Sequence, residues 1–160
     1  MSKAATLKPV RPRSLPPKFG LSFETTLMVR DSCLCLHLQR AARSVARQFD
    51  EALRPLNLTN GQFSLLMSLN RPEPPQMSDV AAVLAMDRTT LTAAVKPLER
   101  RGLLEIRIDA EDRRSRRLSL TAAGKETLMA ALPIWKRTHK LLDRMVSGLD
   151  GLRANLRALS

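Results

Sequence analysis

The 160-residue sequence has no tyrosine, two cysteines, two histidines, six glycines and only five aromatic residues. Each shortage closes off a class of function. Two cysteines are too few for a disulfide framework, which leads us to expect a reducing, cytoplasmic setting. With two histidines, no Gly-rich phosphate loop and no Ser/His/Asp or Cys/His set at sensible spacing, no enzyme, cofactor or metal is expected. Phe19, Phe23, Phe49, Phe63 and Trp135 offer no stacking platform for single-stranded nucleic acid. The longest apolar runs fall far short of the ~20 residues that span a bilayer and no signal-peptide pattern is evident, so no membrane partner is expected.

Positive charge, by contrast, is abundant. Lys and Arg number 27 against 15 Asp and Glu, a formal net charge of +12, and such an excess fits a polyanionic partner. Residues 1–20 carry Lys3, Lys8, Arg11, Arg13 and Lys18, four prolines and no acid, and lack helical or strand periodicity. They are expected to form a disordered basic arm able to add grip on phosphates. The remaining length and the 44% hydrophobic content suit a single domain with its own core.

From Phe23 the apolar residues Leu27, Leu34, Leu38, Ala41, Val45, Phe49, Ala52 and Leu56 recur at steps of 3, 4 or 7, predicting one long helix that stops near Pro55. Thr59-Asn60-Gly61-Gln62 has the form of a capping box and predicts a second helix to about Asn70. Ser78 is expected to cap a short third helix, and Asp87 a fourth that buries Leu91, Ala94, Val95 and Leu98 and ends at Gly102. A bend is expected at Pro97. The period then changes to two over Leu104-Ile106-Ile108 and Leu118-Leu120, with the charged loop 110–116 between. Thr121 is expected to cap a last long helix, striped by Leu128, Leu132, Trp135, His139, Leu142 and Met145, with a break at Gly148 to Gly151.

A short helix, a tight turn and a helix exposing Thr, Arg and Lys spell a helix-turn-helix, and the hairpin after it a wing. The fold class expected is mainly α with a small β-hairpin wing. The second helix would enter the major groove through Arg88, Thr89, Thr90, Thr92 and Lys96. On the hairpin, Arg113, Arg114, Arg116 and Arg117 would reach phosphates or the minor groove.

Five segments then resemble one family: Leu58-Thr59-Asn60-Gly61-Gln62-Phe63-Ser64-Leu65-Leu66, Met86-Asp87-Arg88-Thr89-Thr90-Leu91-Thr92, Leu98-Glu99-Arg100-Arg101-Gly102-Leu103, Asp112-Arg113-Arg114-Ser115 and Leu118-Ser119-Leu120-Thr121-Ala122-Ala123-Gly124. Together they are similar to the multiple-antibiotic-resistance regulator (MarR) family of bacterial transcription factors, over about residues 23–146 in the same order. The resemblance implies a winged helix-turn-helix homodimer on a pseudo-palindromic double-stranded DNA operator, usually a repressor released by a small ligand or by oxidation. It implies that Arg114 enters the minor groove while Asp112, pairing within the wing, helps hold the loop. The first and last helices would interlock to form the dimer. The chain would then divide into the arm 1–20, an N-terminal dimerisation helix 21–57, a DNA-binding domain 58–122 and C-terminal dimerisation helices 123–160, and would work in the cytoplasm on the nucleoid.

Cys33-x-Cys35-x-His37 does not read as a metal site. On a regular helix residue 35 points about 200° away from residue 33, so the three cannot converge on one ion, nor the two thiols pair. Leu34-Cys35-Leu36-His37-Leu38 with Ala41-Ala42-Arg43 is also similar to the first helix of the organic-hydroperoxide-sensing branch, in which the cysteine corresponding to Cys35 is oxidised. Those sensors hold their thiolate with tyrosines, and this chain has none. Core packing competes with redox sensing at Cys35. By position in the family, His37, Arg40, Phe63, Met67 and Trp135 are candidates to line a pocket for a small effector, aromatic or a carboxylate, and Phe63, Met67 and Trp135 can equally be core. A thiol redox sensor and a non-specific basic nucleic-acid binder remain alternatives to a ligand-released regulator.

Overall fold

The computed structural model describes residues 21–159, so the expected basic arm at 1–20 lies outside the described residues. The chain divides into two compact units at Arg40–Ala41. In the first unit, α1 (Phe23–Ser32) begins at Ser22, whose hydroxyl oxygen accepts from the Thr25 N–H. Here the single long helix expected from the periodicity is broken. Ser32 donates its hydroxyl to the Met28 carbonyl (2.6 Å), the Cys33 N–H closes on Val29, and Cys33 turns to extended backbone (φ −75°, ψ 103°) before α2 (Leu34–Leu53) starts. The stripe continues across the break because a residue lost from the helix shifts the apolar face without abolishing its spacing. The geometric ground for keeping Cys33 and Cys35 apart, a shared regular helix, therefore does not apply. Among the described residues, however, no cluster of three or more His, Cys, Asp or Glu side chains could hold a metal.

The second unit takes in the rest of α2, a 3₁₀ turn at Arg54–Leu56, α3 (Asn60–Ser68), α4 (Met77–Val83), α5 (Arg88–Arg100), an antiparallel hairpin β1 (Leu104–Ile108) and β2 (Arg116–Leu120), α6 (Ala122–Met145) and α7 (Leu149–Arg157). The capping box forms at Thr59 and Gln62 in both directions. Asp87 caps α5 and Thr121 caps α6. Ser78 does not cap α4. The N–H of Gln76 is held by the Asp79 carboxylate (3.2 Å), so the helix starts a residue earlier than Ser78, with Gln76 at its cap. Helix α5 ends in a Schellman turn, where Gly102 (φ +68°) binds Glu99 and Leu103 binds Leu98.

Buried Leu53, Leu58, Phe63, Leu65, Leu66, Leu69, Val80, Leu91, Val95, Leu98, Leu104, Leu118, Leu128 and Ala131 make one core shared by the end of α2, helices α3 to α6 and the hairpin. The hairpin register pairs Leu104 with Leu120 and Ile106 with Leu118, placing this face on the core, while Ile108 runs out beyond it into solvent. The start of α6 is pressed onto the end of α5. Thr121 donates to the Gly102 carbonyl (2.6 Å), and a Cβ on Gly124 would lie 1.9 Å from the Leu103 oxygen. The buried stripe of α6 is Gly124, Leu128, Ala131 and Thr138, whereas Leu132 and Met145, expected on it, are exposed. The break before α7 runs from extended Val146 to left-handed Gly148, and Gly151 lies within that helix. Among the described residues no helix is long and apolar enough to cross a membrane.

Candidate nucleic-acid interface

Two short helices joined by a four-residue turn, Leu84–Asp87, form the helix-turn-helix. Ala85 takes the left-handed conformation in that turn (φ 50°), a position usually given to glycine or asparagine. Leu91, Val95 and Leu98 anchor α5 in the core, so the opposite face is turned to solvent. Arg88, Thr89, Thr90 and Lys96 are exposed and Thr92 is half-buried.

Their donors are not equally available. Asp87 accepts the Thr90 N–H at 2.8 Å and the Thr90 hydroxyl at 2.6 Å, and these bonds hold its carboxyl below the usual carboxylate range. The Thr92 hydroxyl donates back to the Arg88 carbonyl at 2.7 Å. Among the described residues, what α5 presents without a side-chain partner is therefore Arg88, the Thr89 hydroxyl and Lys96.

The wing tip is built by carboxylates. Asp112 accepts the Arg114 N–H at 2.9 Å and the Ser115 hydroxyl at 2.7 Å, and the hydroxyl foremost keeps its carboxyl below the ordinary range. Among the described residues Arg113 and Arg114 have no side-chain partner, and both are exposed. Arg116 is half-buried and folds its guanidinium onto the carbonyls of Arg113 (3.0 Å) and Ser115 (3.1 Å). Arg117, expected to reach phosphate, is committed elsewhere. It donates to Asp109 (2.5 Å) and to the Pro74 carbonyl (2.9 Å). A cavity of about 320 Å³ separates wing from helices, lined among others by Gln76, Ser78, Arg88, Arg114, Ser115 and Arg116. The first residue of α5 and the wing tip thus face one gap with three guanidinium groups.

The five pocket candidates do not form one site within either unit. His37 and Arg40 belong to the first, where both are exposed and the His37 ring donates to the Asp31 carbonyl at 3.0 Å. Phe63, Met67 and Trp135 belong to the second. Phe63 is buried and stacks on Trp135 (6.4 Å, 22°), Trp135 lies 4.8 Å from His139, and Met67 is exposed. Beside them Trp135, Lys136, His139, Lys140, Asp143 and Arg153 line an open cavity of about 640 Å³. Lys136 and Lys140 come from α6 and Arg153 from α7, a neighbour that spacing along α6 does not reveal. Cys35 is exposed and accepts from the Gln39 side-chain amide (3.3 Å).

A helix-turn-helix with a basic hairpin wing defines a winged-helix DNA-binding protein. Residues 58–115 match the MarR family profile. The organic hydroperoxide resistance transcriptional regulator of Bacillus subtilis is 32% identical over 97 residues, covering 61% of this chain and 66% of that protein. The transcriptional repressor MprA of Escherichia coli K12 is 30% identical over 119 residues, covering 73% and 64%. The chain thus spans just under two thirds of the length of these two relatives. Among solved structures, the M. tuberculosis transcriptional regulator MosR in complex with DNA is 35% identical with a TM-score of 0.75, covering 80% of this chain and 93% of that one. The chain belongs to the MarR family and has a winged-helix DNA-binding fold.

Proposed function

We propose that the protein is a sequence-specific repressor that binds a pseudo-palindromic operator as a homodimer and is released by a small molecule. The observation that carries this reading is the shared gap, with Arg88 at the start of α5 and Arg114 on the wing lining one cavity. A helix set in the major groove and a wing over the adjacent minor groove need their cations disposed in this way. Arg88, Thr89, Thr90, Thr92 and Lys96 face the major groove, Arg113, Arg114 and Arg116 the backbone and minor groove, and Asp112 holds the wing. The DNA complex of MosR and the name of MprA support DNA binding and repression.

Dimerisation is supported by apolar residues left in water at helical spacing, Leu141 and Met145 on α6, Leu152 and Leu156 on α7 and Leu159 just past its end. A two-fold axis would set the two α5 helices about 34 Å apart, one turn of DNA. In this reading residues 21–57 and 123–160 make the dimer and 58–122 the DNA-binding domain, in the cytoplasm on the nucleoid. The effector is an aromatic molecule or a carboxylate. The cavity walled by Trp135 and His139 with Lys136 and Lys140 supports that chemistry, whereas Arg153 on the same wall is already paired with Asp143 and Asp150.

Fluorescence anisotropy against the DNA upstream of the chain's own gene and a scrambled duplex, at two salt concentrations, tests the reading. A preference of about a thousandfold that persists at higher salt is expected. Equal, steeply salt-dependent binding to every duplex, including those recovered by genome-wide selection, would leave only a non-specific basic binder. Arg114→Ala should weaken operator binding by about 1–3 kcal/mol, most at A·T-rich flanks. Lys96→Ala should weaken it uniformly if Lys96 holds phosphate, or shift base preference if it reads guanine.

A second reading, oxidation at Cys35, is favoured by the exposure of that thiol and by the likeness to the hydroperoxide resistance regulator. Mass spectrometry after stoichiometric cumene hydroperoxide decides it. A sulfenic or mixed-disulfide adduct at Cys35 supports it and an unmodified thiol closes it.

A further inference from the structure

Asp109 is the one buried charged residue among those described, 3% exposed at the end of β1. Its carboxylate holds four groups that the sequence scatters. One oxygen accepts the N–H groups of Glu111 (2.8 Å) and Asp112 (3.3 Å), shaping the first turn of the wing loop. The other accepts Arg117 Nε from β2 (2.5 Å) and the Gln76 side-chain amide from the cap of α4 (3.4 Å). Arg117 continues to the Pro74 carbonyl, the Leu118 N–H to the Pro75 carbonyl (3.0 Å), and Gln76 bridges to Arg117. The base of the wing is thereby tied to the segment that leads into the helix-turn-helix.

The same carboxylate begins a relay to the wing tip. It orders the Asp112 N–H, and Asp112 in turn orders the Arg114 N–H. Two acidic side chains in series define the backbone on which Arg114 stands. The hairpin does not need this cluster in order to fold, since its ladder is complete and Leu104 and Leu118 sit in the core. A buried ion pair is in general weak evidence for stability, because desolvation offsets most of its attraction. Orientation is the property that such a fully bonded group supplies.

We propose that Asp109 is a positioning residue for DNA recognition, which with Arg117 and Gln76 fixes the angle of the wing and so sets where Arg114 meets the minor groove. Arg117 then serves the protein's own geometry and makes no DNA contact. This rests on the assignment of Arg114 to the minor groove given above. The bonds from the Glu111 and Asp112 N–H groups and from Arg117 also hold the Asp109 carboxyl below the ordinary carboxylate range, so it stays charged at neutral pH.

The test uses the full chain and a duplex selected from random DNA by the wild-type protein, made with A·T-rich and G·C-rich flanks. Asp109→Asn, Arg114→Ala and the double variant are compared for affinity and thermal midpoint. Asp109→Asn is expected to lose about tenfold in affinity on A·T-rich flanks, little on G·C-rich ones, and to leave the double variant no weaker than Arg114→Ala alone. A lone effect of Arg114→Ala, or effects that multiply, overturns the proposal while leaving the wing contact standing. An inert Arg114→Ala overturns the wing contact and this proposal together. If Asp109→Asn does not fold, Arg117→Gln replaces it and must show the same dependence on Arg114. Failure of both to fold makes the cluster a stability element and ends the proposal.

Discussion

Thr90 gives both of its donors to Asp87, the N–H at 2.8 Å and the hydroxyl at 2.6 Å. The cap that starts α5 therefore consumes a side chain that stands on its solvent face. Thr92 is similarly spent on the Arg88 carbonyl. A threonine-rich sequence at the head of this helix presents fewer hydroxyl donors to DNA than its composition suggests, and the distinction can be measured.

Thr89→Val should alter base preference in a binding-site selection, because its hydroxyl has no partner among the described residues. Thr92→Val keeps the shape and methyl of the side chain and removes only a hydroxyl turned inward, so operator affinity should move by less than about 0.5 kcal/mol. Equal shifts in preference for the two variants would contradict this division.

Gly124→Ala should destabilise the fold by at least about 1–3 kcal/mol in urea unfolding. The new Cβ would meet the Leu103 carbonyl oxygen at 1.9 Å, and backbone cannot swing aside as a flexible side chain can. An unchanged midpoint would mean that α6 can slide along the α5–β1 junction.

Leu91→Ala should cost about 2–5 kcal/mol, since Leu91 is fully buried and ties the exposed face of α5 to the core. Binding measured where the variant is still folded should fall less than its stability does, because no DNA-facing group is removed.

Among the wing arginines, Arg113→Ala should reduce the slope of log affinity against log salt by about one, as loss of one phosphate contact does. Arg116→Ala should change it less, since that guanidinium is already bound to the Arg113 and Ser115 carbonyls. A larger effect at Arg116 would show that it leaves those carbonyls on DNA.

Acid should loosen the DNA-binding lobe. Asp87, Asp109 and Asp112 all titrate below the ordinary carboxylate range in the folded chain. Their contribution is complete above the unfolded value, about 4, and is lost as pH falls through the lower folded values. Urea midpoints should hold from pH 7 to about 5 and drop below about 4, with Asp109→Asn giving a flatter profile. A midpoint constant down to pH ~3 would show that these carboxylates add nothing to stability.

The sequence by itself determined the kinds of element and most of their ends. Period 3.6 gave the helices and period 2 the hairpin from Leu104 to Leu120. Thr59, Asp87, Thr121 and Gly102 marked boundaries through bonds to residues only a few positions away. Such signals are legible because they are local. The break at Cys33 escaped because a stripe survives one misplaced residue, and the start of α4 at Gln76 because a carboxylate three residues on made the cap. Which cations are free was decided only in three dimensions. Arg117 finds the Pro74 carbonyl 43 positions away and Arg101 the Asn57 carbonyl 44 positions away, while Asp109, the polar residue that follows β1, becomes buried because Gln76 and Arg117 close over it. Sequence spacing carries no record of such partners, since a side chain's donors are assigned by whatever the folded chain brings within 3 Å or so of them.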